Sequence, residues 1–373
     1  MNVKQLSALA KEKNINFLET LRVDKENFHF MPVAKEATTE GLKLQLGFSI
    51  YALKLFYMNG EWENLNKEKQ IGWVKYINNF QNSIEPFPAN SFIDNEYINY
   101  FKNNSFKIKS KDSLKIILNS FGGKNYELHS RFMQNSIRAE TKQCIATLKQ
   151  IGQKTSIPYT DFPQEDLDEF LEQFDWSKPW GAGAQFSGLS VFIKTQISDE
   201  SKKEELSEAM SKYISTKVNS QDGTYYSGSQ PSKSQAVNGA MKVLTGLDWL
   251  ERDIHYPQKL IDLCLDTIPN SEGCDLVDIV YVLFRCSSQT NYRKSDIISY
   301  IKNLEPQITK HFYPNEGGFS YFINRSQDNY YGVRISKGTD TPDIHGTILL
   351  TWALAMMHEI ISPSDNNWKI IKP

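Results

Sequence analysis

Two carboxylates stand at the head of an apolar helical run: Glu272-Gly273-Cys274-Asp275-Leu276-Val277-Asp278 leads directly into Ile279-Val280-Tyr281-Val282-Leu283-Phe284. Residues three apart share a helix face, so Asp275 and Asp278 are expected to point the same way, within one turn of the helix start. Two carboxyl groups that close cannot both ionise cheaply, so one would hold a proton into the neutral range and serve as a general acid. Left ionised, the same pair would suit Mg²⁺, which takes carboxylates together with water and substrate phosphates. A second start follows the same design: Asp340-Thr341-Pro342-Asp343-Ile344-His345 opens the apolar run from Gly346 to Leu354. Each of these residues also has a plainer role, since Asp and Thr cap helices and Pro suits the first turn. Asp278 is the informative one. It lies a turn inside the helix, where capping no longer requires it, among Leu276, Val277, Ile279 and Val280, and there a carboxylate must find a partner or keep its proton. His345 reads as an internally hydrogen-bonded polar residue, a proton shuttle or a metal ligand. If the two starts adjoin, Cys274 and His345 are candidate zinc ligands, with Asp275 or Glu272 needed to complete the set.

Positioning these starts requires a repeated helical scaffold, and the chain carries one. Six segments are apolar nearly all round and rich in small residues: 44–53, 139–151, 184–197, 236–250, 274–286 and 343–360. Six others have a one-sided apolar stripe: 67–80, 112–121, 165–174, 202–218, 257–268 and 294–312. All-round apolarity implies burial on both sides, and a stripe implies an outer helix facing water. Strict alternation of the two classes predicts an all-α (α/α)6 toroid of six inner and six outer helices, with short β-like loops at the rim. Residues 41–373 are expected to form this one domain, and residues 1–40 an N-terminal extension beginning with a helix over Val3 to Leu21.

If the inner helices start at one rim, their free N–H groups and dipole ends converge there and favour anions. The residues at those starts include Arg138, Glu140, Trp180, Gln185, Asn238, Asp275, Asp278, Asp343 and His345. The loops before the inner helices are long, and loops over a rigid scaffold commonly carry function. They bring Trp176, Trp180, Tyr225, Tyr226, Phe319, Tyr321, Tyr330 and Tyr331 to the rim, either to pack loop on loop or to offer aromatic faces to a cation or a sugar ring. The longest, 313–341, also carries Arg325, Arg334 and Lys337.

Composition narrows the classes. Basic and acidic residues nearly balance, 42 against 44, with no long run of one sign, which argues against a partner held by bulk charge such as nucleic acid or an anionic membrane. The cysteines, Cys144, Cys264, Cys274 and Cys286, lack CxxC spacing, so reduced thiols and a cytoplasmic location are expected. The first residues lack a signal-peptide core, and no transmembrane segment is expected.

Four stretches resemble the terpenoid-cyclase and protein-prenyltransferase superfamily of α/α toroids: Trp73-Val74-Lys75-Tyr76-Ile77-Asn78-Asn79-Phe80-Gln81, Glu316-Gly317-Gly318-Phe319, Gly273-Cys274-Asp275-Leu276-Val277-Asp278 and Asp343-Ile344-His345-Gly346-Thr347. The likeness spans roughly residues 41–360. The sequence departs from the family in lacking both DxDD and DDxxD, Asp275 to Asp278 being DxxD. Against the zinc set of the prenyltransferases, Cys274 and His345 match, and Glu272 stands at the acidic position.

Three functions follow as expectations. The first is an isoprenoid-handling enzyme, a terpene cyclase-like protein in which Asp275 and Asp278 initiate cyclisation by protonation. Trp180, Tyr225, Tyr226, Tyr330 and Tyr331 would then line the lumen, and Arg334 and Lys337 would hold a prenyl diphosphate. The second is a carbohydrate-active enzyme, a hydrolase, lyase or epimerase, with Asp278 and Asp343 as acid and base and His345 and Tyr331 in support. The third is a binding toroid without chemistry.

Overall fold

The apolar and amphipathic segments form helices, some of them longer or shorter than the segments that mark them, and among the described residues the protein is all-α apart from two short hairpins and isolated bridges. The computed structural model describes residues 2–24, 27–120 and 126–373. In chain order the helices are α1 (Val3–Leu21), α2 (Thr39–Lys43), α3 (Leu46–Asn59), α4 (Lys67–Asn78), α5 (Asn95–Asn103), α6 (Ser105–Ser120), α7 (His129–Gln150) and α8 (Leu167–Leu171). They continue as α9 (Pro179–Gln196), α10 (Glu200–Ser215), α11 (Lys233–Leu250), α12 (Pro257–Leu265), α13 (Gly273–Ser287), α14 (Lys294–Thr309) and α15 (Ile344–Ile361). The hairpins pair β1 (Gln81–Asn82) with β2 (Ser91–Phe92) and β3 (Asn329–Tyr330) with β4 (Val333–Arg334), both antiparallel.

The six all-round apolar segments are α3, α7, α9, α11, α13 and α15. Each packs on the next in that order, and α15 packs on α3. From α9 to α11 to α13, contacts near the helix starts and contacts further along keep step, so these neighbours run the same way. Pro179 meets Gly239 and Ser190 meets Gly246 between α9 and α11. Between α11 and α13, Asn238 bonds Asp275 near the starts and Asp248 pairs with Arg285 near the ends. The α9–α11 approach is close because glycines face it: a methyl on Gly246 would sit 2.5 Å from Phe186.

The amphipathic helices pack on the backs of these six: α4 on α3, α10 on α9, α12 on α13, and α14 on α13 and α15. Trp73 of α4 is fully buried and donates to Ser49 Oγ of α3 at 2.9 Å. Helix α1 packs on α15, α3 and α14. Its Leu6, Ala10, Phe17 and Leu18 join the common core, and Ser7 and Asn14 bond His358 and Thr351 of α15.

The alternation breaks at the second outer segment. Residues 112–120 lie in α6, which packs on α5 and leaves Phe106, Leu114 and Ile117 exposed; Phe121 lies outside the described residues. The apolar side chains of α6 are spread round the helix, so no single stripe seats it. Strand β2 packs against α7 instead, with Phe92 N–H donating to Thr141 Oγ1 at 3.0 Å. The segment 165–174 is helical only over the five residues of α8. Among the described residues, one helix is long and apolar enough to cross a membrane, α15, and most of it is buried inside the protein.

At the C-terminal ends of α11 and α13 the chain's own tail closes the structure. Lys372 donates to the carbonyl of Asp248, and Trp249 donates to the carbonyl of Pro373 at 3.1 Å. Arg285 and Asp248 form a partly buried ion pair beside Tyr281, whose ring packs at a tilt against Trp352.

Candidate functional site

Asp343 caps α15, and its carboxylate is fully engaged. It accepts from the backbone N–H of Gly346 at 2.7 Å, Tyr321 at 2.7 Å and Gln327 at 2.9 Å. Burial pushes its carboxyl up to about 6, against the pull of those N–H donors. Asp343 therefore ties the long 313–341 loop to the helix start and has no lone pair directed at a substrate. Asp275 is likewise held, accepting from Asn238 at 2.7 Å and Asn270 at 2.6 Å.

Asp278 differs from both. It is 3% exposed, and among the described residues nothing hydrogen-bonds its carboxyl. Burial raises it to about 6; the Lys242 ammonium pulls the other way, and the Asp275 charge pushes up further. The two aspartates feel each other but share no hydrogen bond, so the expected proton-sharing dyad is not formed. The reason is local: Asn238 and Asn270 turn the Asp275 carboxylate toward the helix starts. Cys274, one turn before Asp278 on the same face, lies near Tyr321, and burial pushes its thiol up to about 11.

His345 adjoins this group. Its ring stacks on Tyr51 with centroids 5.0 Å apart and packs on Tyr321 at 5.1 Å. Its Nδ1 is buried without a partner. Burial lowers its pKa to about 4, and the nearby Lys54 and Lys242 ammonium groups add to the shift. The imidazole is thus neutral at physiological pH. Gly346 makes the arrangement possible, because a Cβ there would lie 2.3 Å from the Tyr321 backbone nitrogen.

Three lysines on three helices feel one another's charge: Lys54 of α3, Lys142 of α7 and Lys242 of α11. Lys54 is buried and donates to Gln143 Oε1 at 3.0 Å. Lys242 lies over the Trp180 ring at 5.3 Å. Burial brings Lys54 down to about 8 and holds Lys142 well below the ordinary lysine range, with the Lys242 and Lys54 charges adding to the effect. Lys142, Cys274 and His345 keep accessible surface, although desolvation dominates their titration. On α9, methyls added at Gly181 or Gly188 would meet nothing within 4 Å.

Glu140 of α7 completes the polar lining. It accepts from Tyr330 Oη at 2.5 Å, and burial raises it to about 7 despite that bond. Tyr331 lies 3.5 Å from Gln143 and retains accessible surface.

The remaining expected substrate contacts divide. Trp180, Tyr330 and Tyr331 belong to this region, Trp180 being 56% exposed at the rim. Tyr225 does not: it is fully buried, bonded to His255 Nδ1 at 3.0 Å. Tyr226 accepts from Asn219 at 2.7 Å, in the turn that precedes it. Arg334 and Lys337 are exposed on the outer side of the β3–β4 hairpin, where Lys337 pairs with Glu36 and Thr38 bonds the Arg334 carbonyl. Among the described residues, Lys54, Lys142 and Lys242 are cations whose charge is felt in this region, and the sequence reading passed over them. Their signal was present, because a lysine inside a doubly buried helix raises the same question as Asp278.

The donors do not fit zinc. Cys274 and His345 approach Tyr321 from two helix starts, but Glu272 is exposed, and among the described residues no three His, Cys, Asp or Glu groups cluster as a metal site. Nor does a free carboxylate pair stand ready for Mg²⁺, since both Asp275 oxygens accept amide N–H groups.

Comparison with models of known protein families, with curated proteins and with solved structures finds no match for this chain.

Proposed function

We propose that the helices close as an (α/α)6 toroid and that its lumen belongs to an enzyme of general acid–base chemistry, with Asp278 as proton donor and His345 as neutral proton acceptor. The ring is supported by the packing that runs from α3 through α7, α9, α11, α13 and α15 back to α3. The chemistry rests above all on one observation, a 3%-exposed carboxyl at Asp278 with no hydrogen-bond partner among the described residues. A donor whose pKa lies near the working pH is well matched to proton transfer. Tyr321 lies near both groups: its ring packs on His345, and it adjoins Cys274, one turn from Asp278.

Of the isoprenoid and carbohydrate readings, these features favour the second. A cyclase needs a lumen that stabilises a carbocation. The faces of Tyr51, Tyr321 and Tyr330 would serve, but the like charges of Lys54 and Lys242 are felt there, at His345. A hydroxyl-rich substrate suits tyrosine faces and polar groups alike. Because the Asp343 carboxylate is committed to backbone N–H groups, two-carboxylate glycoside hydrolysis loses its second member. Proton transfer of the lyase or epimerase kind, with His345 and Asp278, is the remaining arrangement.

The test needs no substrate. The Asp278 carboxyl is followed by carbon NMR across pH, assigned by its loss in Asp278→Asn. Titration near 6 is expected; titration in the ordinary carboxylate range refutes the role of Asp278 as acid. With a substrate identified from a sugar panel, Asp278→Asn is expected to abolish turnover without loss of fold.

A further inference from the structure

We propose that the outward face of α6 docks on an anionic lipid surface. The helix is seated by its more polar side. Ile108, Asp112, Lys115 and Asn119 follow one another at helical spacing and share a face, and each is partly buried. Ile108 packs on the common core. Asp112 accepts the His129 backbone N–H at 3.2 Å, Lys115 donates to the Glu127 carbonyl at 2.7 Å, and Asn119 exchanges two hydrogen bonds with the Tyr126 backbone, at 2.7 and 3.0 Å. That face is therefore committed to the segment 126–129. The opposite side carries Phe106, Leu114 and Ile117, with Ile116 and Leu118 beside them, all of them exposed and Phe106 to 86%. A helix on a protein in water ordinarily turns such side chains inward. Helix α6 turns them outward, and exposed large apolar side chains gathered in this way mark a contact surface.

Local charge says what covers this face. The chain as a whole is nearly neutral, yet residues 102–115 hold five lysines, Lys102, Lys107, Lys109, Lys111 and Lys115, against one carboxylate, Asp112, which belongs to the seated face. Lys102, Lys109 and Lys111 are exposed, and among the described residues none of these three forms an ion pair. At 3.6 residues per turn, Lys109 and Lys111 fall on the two flanks of the apolar face. An apolar outer face with lysines at its margins suits a helix lying in the plane of a bilayer interface. The apolar side chains enter the acyl boundary, and each lysine lays its stem along them while its ammonium meets headgroup phosphates. A protein partner fits less well, because interface cores favour aromatic side chains and Arg and are depleted in Lys, whereas α6 holds one aromatic residue, Phe106, and no Arg. None of these residues takes part in the acid–base chemistry, so the two readings stand independently.

Binding is measured by co-sedimentation of the full-length protein with phosphatidylcholine vesicles and with vesicles that also contain phosphatidylserine. The parent is compared with Lys109→Gln/Lys111→Gln and with Phe106→Ser/Ile117→Ser, each checked by its thermal melt. All four side chains are exposed, so the melts are expected to coincide. The parent is expected to bind the phosphatidylserine vesicles more tightly than the neutral ones, and high salt to weaken that binding. Each lysine near an anionic surface is worth about fivefold, so the lysine variant should bind about twenty-five-fold more weakly. The apolar variant should lose about tenfold or more on the same vesicles. Absence of binding to the anionic vesicles, equal binding to both kinds, or binding that either folded variant leaves unchanged overturns the proposal. A parent that fails on vesicles but dimerises by analytical ultracentrifugation, with the dimer lost in Phe106→Ser/Ile117→Ser, also overturns it and assigns the face to a second copy of the chain.

Discussion

Replacing Lys54 by Met should make the protein more stable at neutral pH, in a way that depends on pH. Lys54 is 6% exposed, and burial lowers it from 10.5 to about 8. At about 1.36 kcal/mol per pH unit, holding it charged in the folded state costs about 3 kcal/mol. Methionine fills much the same volume without the charge, while losing the Gln143 hydrogen bond, worth about 1 kcal/mol. The net gain at pH 7 is about 2 kcal/mol. With an unfolding entropy of about 2.1 cal/mol/K per residue, the melting temperature should rise by about 2 to 3 °C. The sign with pH follows from the folded value lying below the unfolded one. The penalty is full below about 8 and fades as pH rises toward 10.5, because the unfolded chain there binds more protons than the folded one. At pH 10 about 1 kcal/mol remains, which the lost hydrogen bond offsets, and the two proteins should be equally stable. Urea unfolding at pH 7 and pH 10 reads the difference. A Met variant less stable than the parent at pH 7, or an equal gap at both pH values, would refute the view that Lys54 is held as an unpaired charge.

Two further substitutions separate support from chemistry. Asp343→Ala leaves three backbone N–H groups at the α15 start unpaired, so a loss of about 3 to 5 kcal/mol is expected by chemical denaturation; a loss under 1 kcal/mol would show that the carboxylate is not holding the loop. Gly346→Ala places a methyl 2.3 Å from the Tyr321 backbone nitrogen and 2.4 Å from the Ser320 carbonyl carbon. Since backbone must move, about 3 kcal/mol of destabilisation is expected, together with a changed His345 ring signal by NMR; an unperturbed His345 would mean that Gly346 does not set the His345–Tyr321 contact.

The resemblance to α/α toroids was carried by short stretches whose structural parts are clear. Trp73 anchors α4 to α3, and Gln81 bonds Ile157 in both directions, at 2.8 and 3.0 Å. Gly317 takes a positive φ of 88° at a point where Lys13 of α1 packs closely. These are scaffold roles, and they bear on helix packing more than on any reaction.

What the sequence by itself determined is whatever repeats over a few residues. Hydrophobic period and composition picked out the six doubly buried helices, because burial on one side or two is written into each turn, but not all of their ends: α7 begins ten residues before, and α3 ends six residues beyond, the apolar segments that mark them. The oddity of Asp278 was legible for the same local reason. Tertiary structure alone decided which polar groups meet. Lys54, Lys142 and Lys242 lie on helices far apart in the chain, and no local pattern records that they feel one another's charge. It also decided that Asp343 and Asp275 are already satisfied, that Tyr225 is buried beside His255, and that Arg334 and Lys337 look outward. A carboxylate or a tyrosine is the same residue type whether its oxygen meets a backbone N–H or an open lumen. Only the packing of distant helices and loops supplies or withholds that partner, and so settles which groups remain free for chemistry.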